Sequence, residues 1–171
     1  MPVRDWAYAI LALVALQRLV ELFVAERNTR ALRARGAVEI GAGHYPLIVA
    51  LHAAWLAATA WFVPDDVRIS FTWLAIFLVL QAARVWVIDT LGPYWTTRII
   101  TIPDAPLVRK GPYRFVRHPN YLVVAGEIAA LPLVFGEWRV ACVFTLANAA
   151  ILALRIRTED RALAPRRSGA A

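Results

Sequence analysis

Cysteine is almost missing from this chain of 171 residues, and so is lysine: Cys142 and Lys110 are the sole examples of each. With one thiol no internal disulfide can form, and a cysteine-based zinc cluster has no ligands to build on. Acid is also scarce. Twelve Asp and Glu stand against 19 Lys and Arg, a net charge of +7 carried almost wholly by arginine. Nucleotide-binding signatures are absent, since Gly41-Ala42-Gly43 is a bare Gly-x-Gly without the further glycine of a dinucleotide turn. There is no nucleophile elbow and no His-Glu-x-x-His. His44 and His52 lie eight apart and read as one helix, with no Cys or acid at ligand spacing, so no metal site is expected. The chain contains no internal repeat and no low-complexity segment.

Apolar sequence is what the chain has in quantity. Hydrophobic residues make up 60% of it, and the mean hydropathy is +0.56, well above an ordinary soluble protein. Five runs, residues 6–25, 45–63, 71–91, 120–135 and 138–154, approach the roughly 20 residues a bilayer-spanning helix needs. The fourth is short and is interrupted by Pro132. The first is long enough to span and lacks the small-residue cleavage site of a signal peptide. The expected fold is therefore all-α, a polytopic integral membrane bundle of about five transmembrane helices. Residues 1–163 are expected to form one membrane-embedded domain and 164–171 a disordered tail.

The cations orient this bundle. Arg27, Arg30, Arg33 and Arg35 follow the first run, and Arg98, Arg109, Lys110, Arg114 and Arg117 separate the third from the fourth. Arg155, Arg157, Arg161, Arg166 and Arg167 follow the fifth. Cations placed this way fit the cytoplasmic flanks of membrane helices rather than nucleic acid, which is not expected as a partner. The same rule puts the N-terminus outside an inner (cytoplasmic) membrane, with the central loop and the C-terminus in the cytoplasm.

Polar residues inside the runs fall on stripes. Gln17 and Glu21 are four apart, Asn28 continues their face, and Arg18 is placed to pair with Glu21. Gln81 and Arg84 share the third run, Asn120 and Glu127 the fourth. In the fifth, Asn148, Leu152, Arg155 and Glu159 follow one line. Such groups are costly in lipid and should face the bundle interior or a cavity. Interhelical hydrogen bonding and headgroup snorkelling are the plainer explanation for each one singly.

The densest chemistry lies in Arg109-Lys110-Gly111-Pro112-Tyr113-Arg114-Phe115-Val116-Arg117-His118-Pro119-Asn120-Tyr121, with four cations and three aromatics. Pro119 suits the first turn of a helix, so the loop should launch one there. His118 would then sit at a helix mouth that favours an anion. This string, followed by Arg155-Ile156-Arg157-Thr158-Glu159-Asp160, resembles the isoprenylcysteine carboxyl methyltransferase family and its phospholipid N-methyltransferase relatives. The resemblance covers about residues 80–163. Residues 17–22, Arg27-Asn28, 36–39 and His44-Tyr45-Pro46 are similar to the bacterial branch that includes alkylpyrone and alkylresorcinol O-methyltransferases.

The resemblance implies a membrane enzyme that moves a methyl group from S-adenosylmethionine to a lipophilic small molecule or a lipidated substrate. It implies cofactor binding by Tyr113, Arg117, His118, Pro119, Tyr121, Glu159 and Asp160, the last standing where the family commonly has a second glutamate. His118, Glu127 and Arg155 are the candidate catalytic residues, and Glu21 and Arg84 the candidate substrate contacts. No metal is called for.

The chemistry of the donor agrees with these residue types. Carboxylates can accept from ribose hydroxyls or an ammonium group. Arginine can pair with the methionyl carboxylate, and aromatic faces can stabilise a sulfonium. The nucleophile stays open at this point. A carboxylate attacks already ionised, whereas a phenol or enol benefits from a base such as His118, Glu21 or Glu127. Oxygen is the expected acceptor. The rivals are methylation of phospholipid amines and a non-catalytic transporter or assembly subunit.

Overall fold

The computed structural model describes residues 2–102 and 107–168, with side chains described as far as Ala164. Among the described residues five α-helices account for most of the structure: α1 (Val3–Arg33), α2 (Tyr45–Trp61), α3 (Phe71–Leu91), α4 (Pro119–Val134) and α5 (Trp138–Ser168). The fold is an all-α membrane bundle, as the apolar runs imply. Three helices, α1, α3 and α5, are long and apolar enough to cross a bilayer. At 1.5 Å per residue the 17 residues of α2 and 16 of α4 give about 25 Å each, short of a full hydrocarbon core. Large apolar side chains point outward along the bundle, with Trp61 82% and Phe71 80% exposed. In lipid such residues are at home.

The short helices are held by packing and by their ends. Trp55 of α2 is fully buried, and its indole N–H donates to the Ile128 carbonyl of α4 at 3.1 Å. Around it Phe77, Leu131, Val134 and Phe135 fill the core between α2, α3 and α4. Gly126 lets α3 close on α4: a Cβ there would stand 2.9 Å from both methyls of Leu80. Pro119 opens α4 as expected, with His118 as the residue before it and no side-chain cap bond. Pro132 falls in the last turn, where the helix is already ending.

Two ends result. At one, Arg4 pairs with Asp65, and the Ser70 N–H bonds the Val134 carbonyl, so the N-terminus meets the α2–α3 and α4–α5 connections. At the other, here the loop end, the α1–α2 and α3–α4 connections meet the latter part of α5. They are stitched by a feature that the apolar pattern does not show: two antiparallel strands of two residues, β1 (Val38–Glu39) and β2 (Ile100–Thr101). Glu39 also accepts from Arg98 at 2.8 Å and pairs with Arg33. α5 continues past the apolar run through Ser168, into the stretch expected to be a disordered tail; residues 169–171 lie outside the described residues.

Candidate functional site

The start of α4 and the end of its neighbour α5 meet at the loop end. His118 Nε2 lies 3.1 Å from Asp160 Oδ1, and Nδ1 lies 3.6 Å from Glu159 Oε2. One turn into α4, the Tyr121 hydroxyl donates to Glu159 Oε2 at 2.5 Å. The His118 and Tyr121 rings stack with centroids 5.4 Å apart. The shorter arm of Asp160 still reaches the histidine, because the helix start brings the imidazole to it. Gly111 makes the approach of the loop possible. Its φ is +55°, and a Cβ there would stand 2.4 Å from Thr90 Oγ1.

Arg155 lies one turn before Glu159 on α5 and is 5% exposed. Its Nη2 donates to the Thr97 carbonyl at 2.9 Å, and its guanidinium lies 5.9 Å from the Tyr121 ring centre. Its Nε is buried without a hydrogen-bond partner. No carboxylate pairs with it among the described residues. A buried cation in that condition is costly unless something else meets it.

What it faces is a cavity of about 1060 Å³. Arg117, His118, Asn120, Tyr121, Arg155 and Glu159 line its loop end, Arg18, Glu21 and Arg84 its deep end, and His52 the α2 wall within reach of charges from both. Residues 94–100 run along its wall as a strap. Asn28 of α1 fixes that strap by donating to the carbonyls of Gly92 (3.1 Å) and Trp95 (2.9 Å). Tyr113 also lines the cavity. Burial, helped by the nearby Glu159 carboxylate, pushes its phenol well above the ordinary range, so it stays protonated.

At the deep end the charges are paired with one another. Arg84 donates to both oxygens of Glu21 at 2.7 and 2.6 Å and to Glu127 at 2.8 Å. Arg18 bridges the same two acids at 2.9 and 3.0 Å. Gln17 adds a bond to Glu21 at 2.8 Å and one to Gln81 of α3 at 2.9 Å. Two cations against two acids leave this quartet neutral, and bidentate guanidinium geometry is what makes such burial tolerable.

The structure thus brings together His118, Tyr121, Arg155 and Glu159 at one end of the cavity, with Tyr113 and Arg117 on its wall; Asp160 contacts His118 but is not itself on the wall. Pro119 is buried and starts the helix. Glu21 and Arg84 reach the cavity from the other end. Glu127 does not: it is 2% exposed, held behind Arg84 and Arg18, and absent from the cavity wall. His44 is not on the helix of His52 but on the short 3-10 turn before it, Ala42–His44. Among the described residues no group of three or more His, Cys, Asp or Glu is placed to hold a metal. The strap carries little signal in the sequence beyond Asn28, a polar residue that continues the Glu21 face of α1.

Among the described residues, a helical membrane bundle encloses a large cavity whose wall carries charged as well as apolar side chains, which defines the class: a membrane-embedded helical protein with an internal cavity. Residues 73–165 match the isoprenylcysteine carboxyl methyltransferase (ICMT) family. The chain is also 38% identical over 160 residues to an uncharacterized protein, YpbQ, of Bacillus subtilis (strain 168), covering 91% of this chain and 95% of that one. It is 30% identical over 152 residues to an uncharacterized protein of Haemophilus influenzae, covering 85% and 88%. The chain belongs to the ICMT family, a family of membrane methyltransferases.

Proposed function

We propose that this protein methylates an oxygen atom of a lipophilic acceptor, with S-adenosylmethionine as donor, at a site facing the cytoplasm of an inner membrane. The observation that carries this reading is Arg155, buried on the cavity wall without a carboxylate partner.

The donor set fits the cofactor. The unpartnered buried atoms Trp95 Nε1, Asn120 Oδ1 and Arg155 Nε belong to residues on the cavity wall, and each needs a polar partner that the protein itself does not supply. Glu159 would accept from ribose hydroxyls or an ammonium group, Asp160 would act on the cofactor through His118, and Arg117 would pair with the methionyl carboxylate. Tyr113 and Tyr121 offer aromatic faces to a sulfonium, a contact of about 0.5–2 kcal/mol. When bound, S-adenosylmethionine supplies an electrophilic methyl group on sulfur.

The protein's own residues do the rest. His118 holds Asp160 through Nε2 and stands beside Glu159. Arg155 stabilises negative charge on the acceptor oxygen and positions it, which is most of what an in-line displacement requires. The same cation repels a phospholipid ammonium, which argues for oxygen over nitrogen. Glu21 and Arg84 meet polar groups of the acceptor at the deep end. Leu19, Leu22 and Val49 line the cavity and are also exposed to the surroundings, so an apolar chain, such as that of an alkylpyrone, a phenolic lipid or a lipidated cysteine, can enter from the bilayer between α1 and α2. The arginines of the loop end support its placement in the cytoplasm.

The test is calorimetry on the purified protein. S-adenosylmethionine should bind at micromolar levels, and His118→Ala should weaken it at least tenfold. Undiminished affinity in the variant would contradict the placement of the cofactor. A wild-type protein that binds no cofactor would favour a transporter or assembly role.

A further inference from the structure

We propose that His52 is the general base for the reaction, accepting the proton of a phenolic or enolic acceptor. This rests on the methyl-transfer reading above and narrows its substrate class.

His52 lies on α2 and lines the cavity. Its Nδ1 is 2.8 Å from the Ile48 carbonyl oxygen. A carbonyl can only accept, so Nδ1 carries hydrogen, and in the neutral ring the free lone pair is on Nε2. No hydrogen bond engages Nε2 among the described residues. The ring is oriented on its other side by an edge contact with Trp55, centroids 6.3 Å apart and planes at 78°. Trp55 is itself fixed to Ile128. A nitrogen lone pair is therefore held in a set direction on the wall and left without a partner.

The other acids and bases on that wall are engaged. Both His118 nitrogens face carboxylates. Glu21 accepts from Gln17, Arg18 and, twice, Arg84. Glu159 accepts from Tyr121. The guanidiniums of Arg18 from α1, Arg84 from α3 and Arg155 from α5 act on His52. They favour an oxygen that becomes negative as its proton leaves and oppose a lasting charge on the ring, so the proton must pass on from His52 within the turnover. The family match begins at residue 73, beyond α2, so it assigns nothing to this histidine.

In the step, the acceptor O–H proton passes to Nε2 as the oxygen lone pair forms the O–CH₃ bond. The C–S bond of the methylsulfonium donor breaks, and its electron pair stays on sulfur as the thioether. The imidazolium then releases its proton to water at the open loop end. A carboxylate acceptor would need no such base, which is why His52 marks a phenol or enol.

His52→Asn and His52→Gln test this in the purified protein, with two long-chain acceptors. One is an alkylphenol; the other is its nitrophenol analogue, ionised without help at pH 8. The variants should lose about 100-fold or more in rate on the alkylphenol, in the usual range for a general base, and only a few-fold on the nitrophenol. Affinity for S-adenosylhomocysteine, read by calorimetry, should stay within twofold. Without donor present, bound nitrophenol should show its coloured phenolate band at lower pH in wild type than in the variants. Equal losses on both acceptors, no loss on either, or a wild type that methylates long-chain carboxylates but no phenol would overturn the role of His52 while leaving methyl transfer in place. A wild type that does not bind S-adenosylhomocysteine would remove the methyl-transfer reading and this proposal together.

Discussion

At the deep end of the cavity two arginines face two glutamates, and every strong contact is between protein groups. At the loop end Arg155 meets a backbone carbonyl and Tyr121, with no carboxylate partner among the described residues, while Glu159 meets a tyrosine and a histidine. Both regions are built of the same residue types on neighbouring helices. The difference is whether a charge is neutralised inside the protein. Charge paired within the fold ties helices together. Charge left open toward a cavity is available to a ligand, and its burial is unfavourable until the ligand arrives.

Breaking the quartet should have the largest effect. Arg84→Ala leaves two buried acids, Glu21 and Glu127, sharing Arg18 alone, and should cost about 3–5 kcal/mol of stability, read as thermal unfolding in detergent. The paired change Arg18→Met with Glu127→Gln should cost less than the sum of its single changes, because the two groups interact directly. Additivity would mean that their contact contributes little.

Glu137 sharpens the contrast from a third place, the α4–α5 connection. It is 7% exposed and, unlike the quartet acids, has no hydrogen-bond partner on either oxygen. Burial raises its pKa from the ordinary 4.5 to about 7. The folded state then holds a proton that the unfolded chain releases. This contribution is fully present below pH 4.5 and is lost as pH rises toward 7. Stability should fall across that window by about 1–3 kcal/mol, and Glu137→Gln should flatten the profile. An unchanged profile in the variant would show that the carboxyl is solvated.

The smallest effect on stability belongs to the loop end. Glu159→Gln should leave stability within about 1 kcal/mol, since its partners are partly exposed. It should nevertheless raise the S-adenosylmethionine requirement about tenfold, roughly 1.4 kcal/mol of binding. If instead the variant unfolds and binds normally when stabilised, Glu159 belongs with the quartet as a structural charge.

Much of this contrast could be read from the chain before any coordinates. Apolar runs located all five helices, and Pro119 located the start of α4, because both signals are local. The stripe of Asn148, Leu152, Arg155 and Glu159 was legible by helical spacing, and so was the shared face of Gln17 and Glu21. Which charges neutralise which was not legible. Glu21 and Arg84 are 63 residues apart, and nothing in either helix alone says that they meet. The same applies to Glu127, whose depth suggested chemistry and whose partners give it a structural setting. The β1–β2 ladder escaped notice because two residues per strand leave no alternation to detect. His52 carries no signal of its own in the sequence for a related reason: its distinguishing feature is a bond to its own helix, invisible until the direction of the ring is known.

The central claim is that the open charge at the loop end serves methyl transfer to oxygen. Mass spectrometry of a membrane lipid extract, after incubation with the purified protein and S-adenosylmethionine carrying a deuterated methyl group, tests it most directly. The account predicts a lipid that gains one labelled methyl on oxygen, lost in His118→Ala. Label found on a headgroup nitrogen, or on no lipid at all, would contradict it.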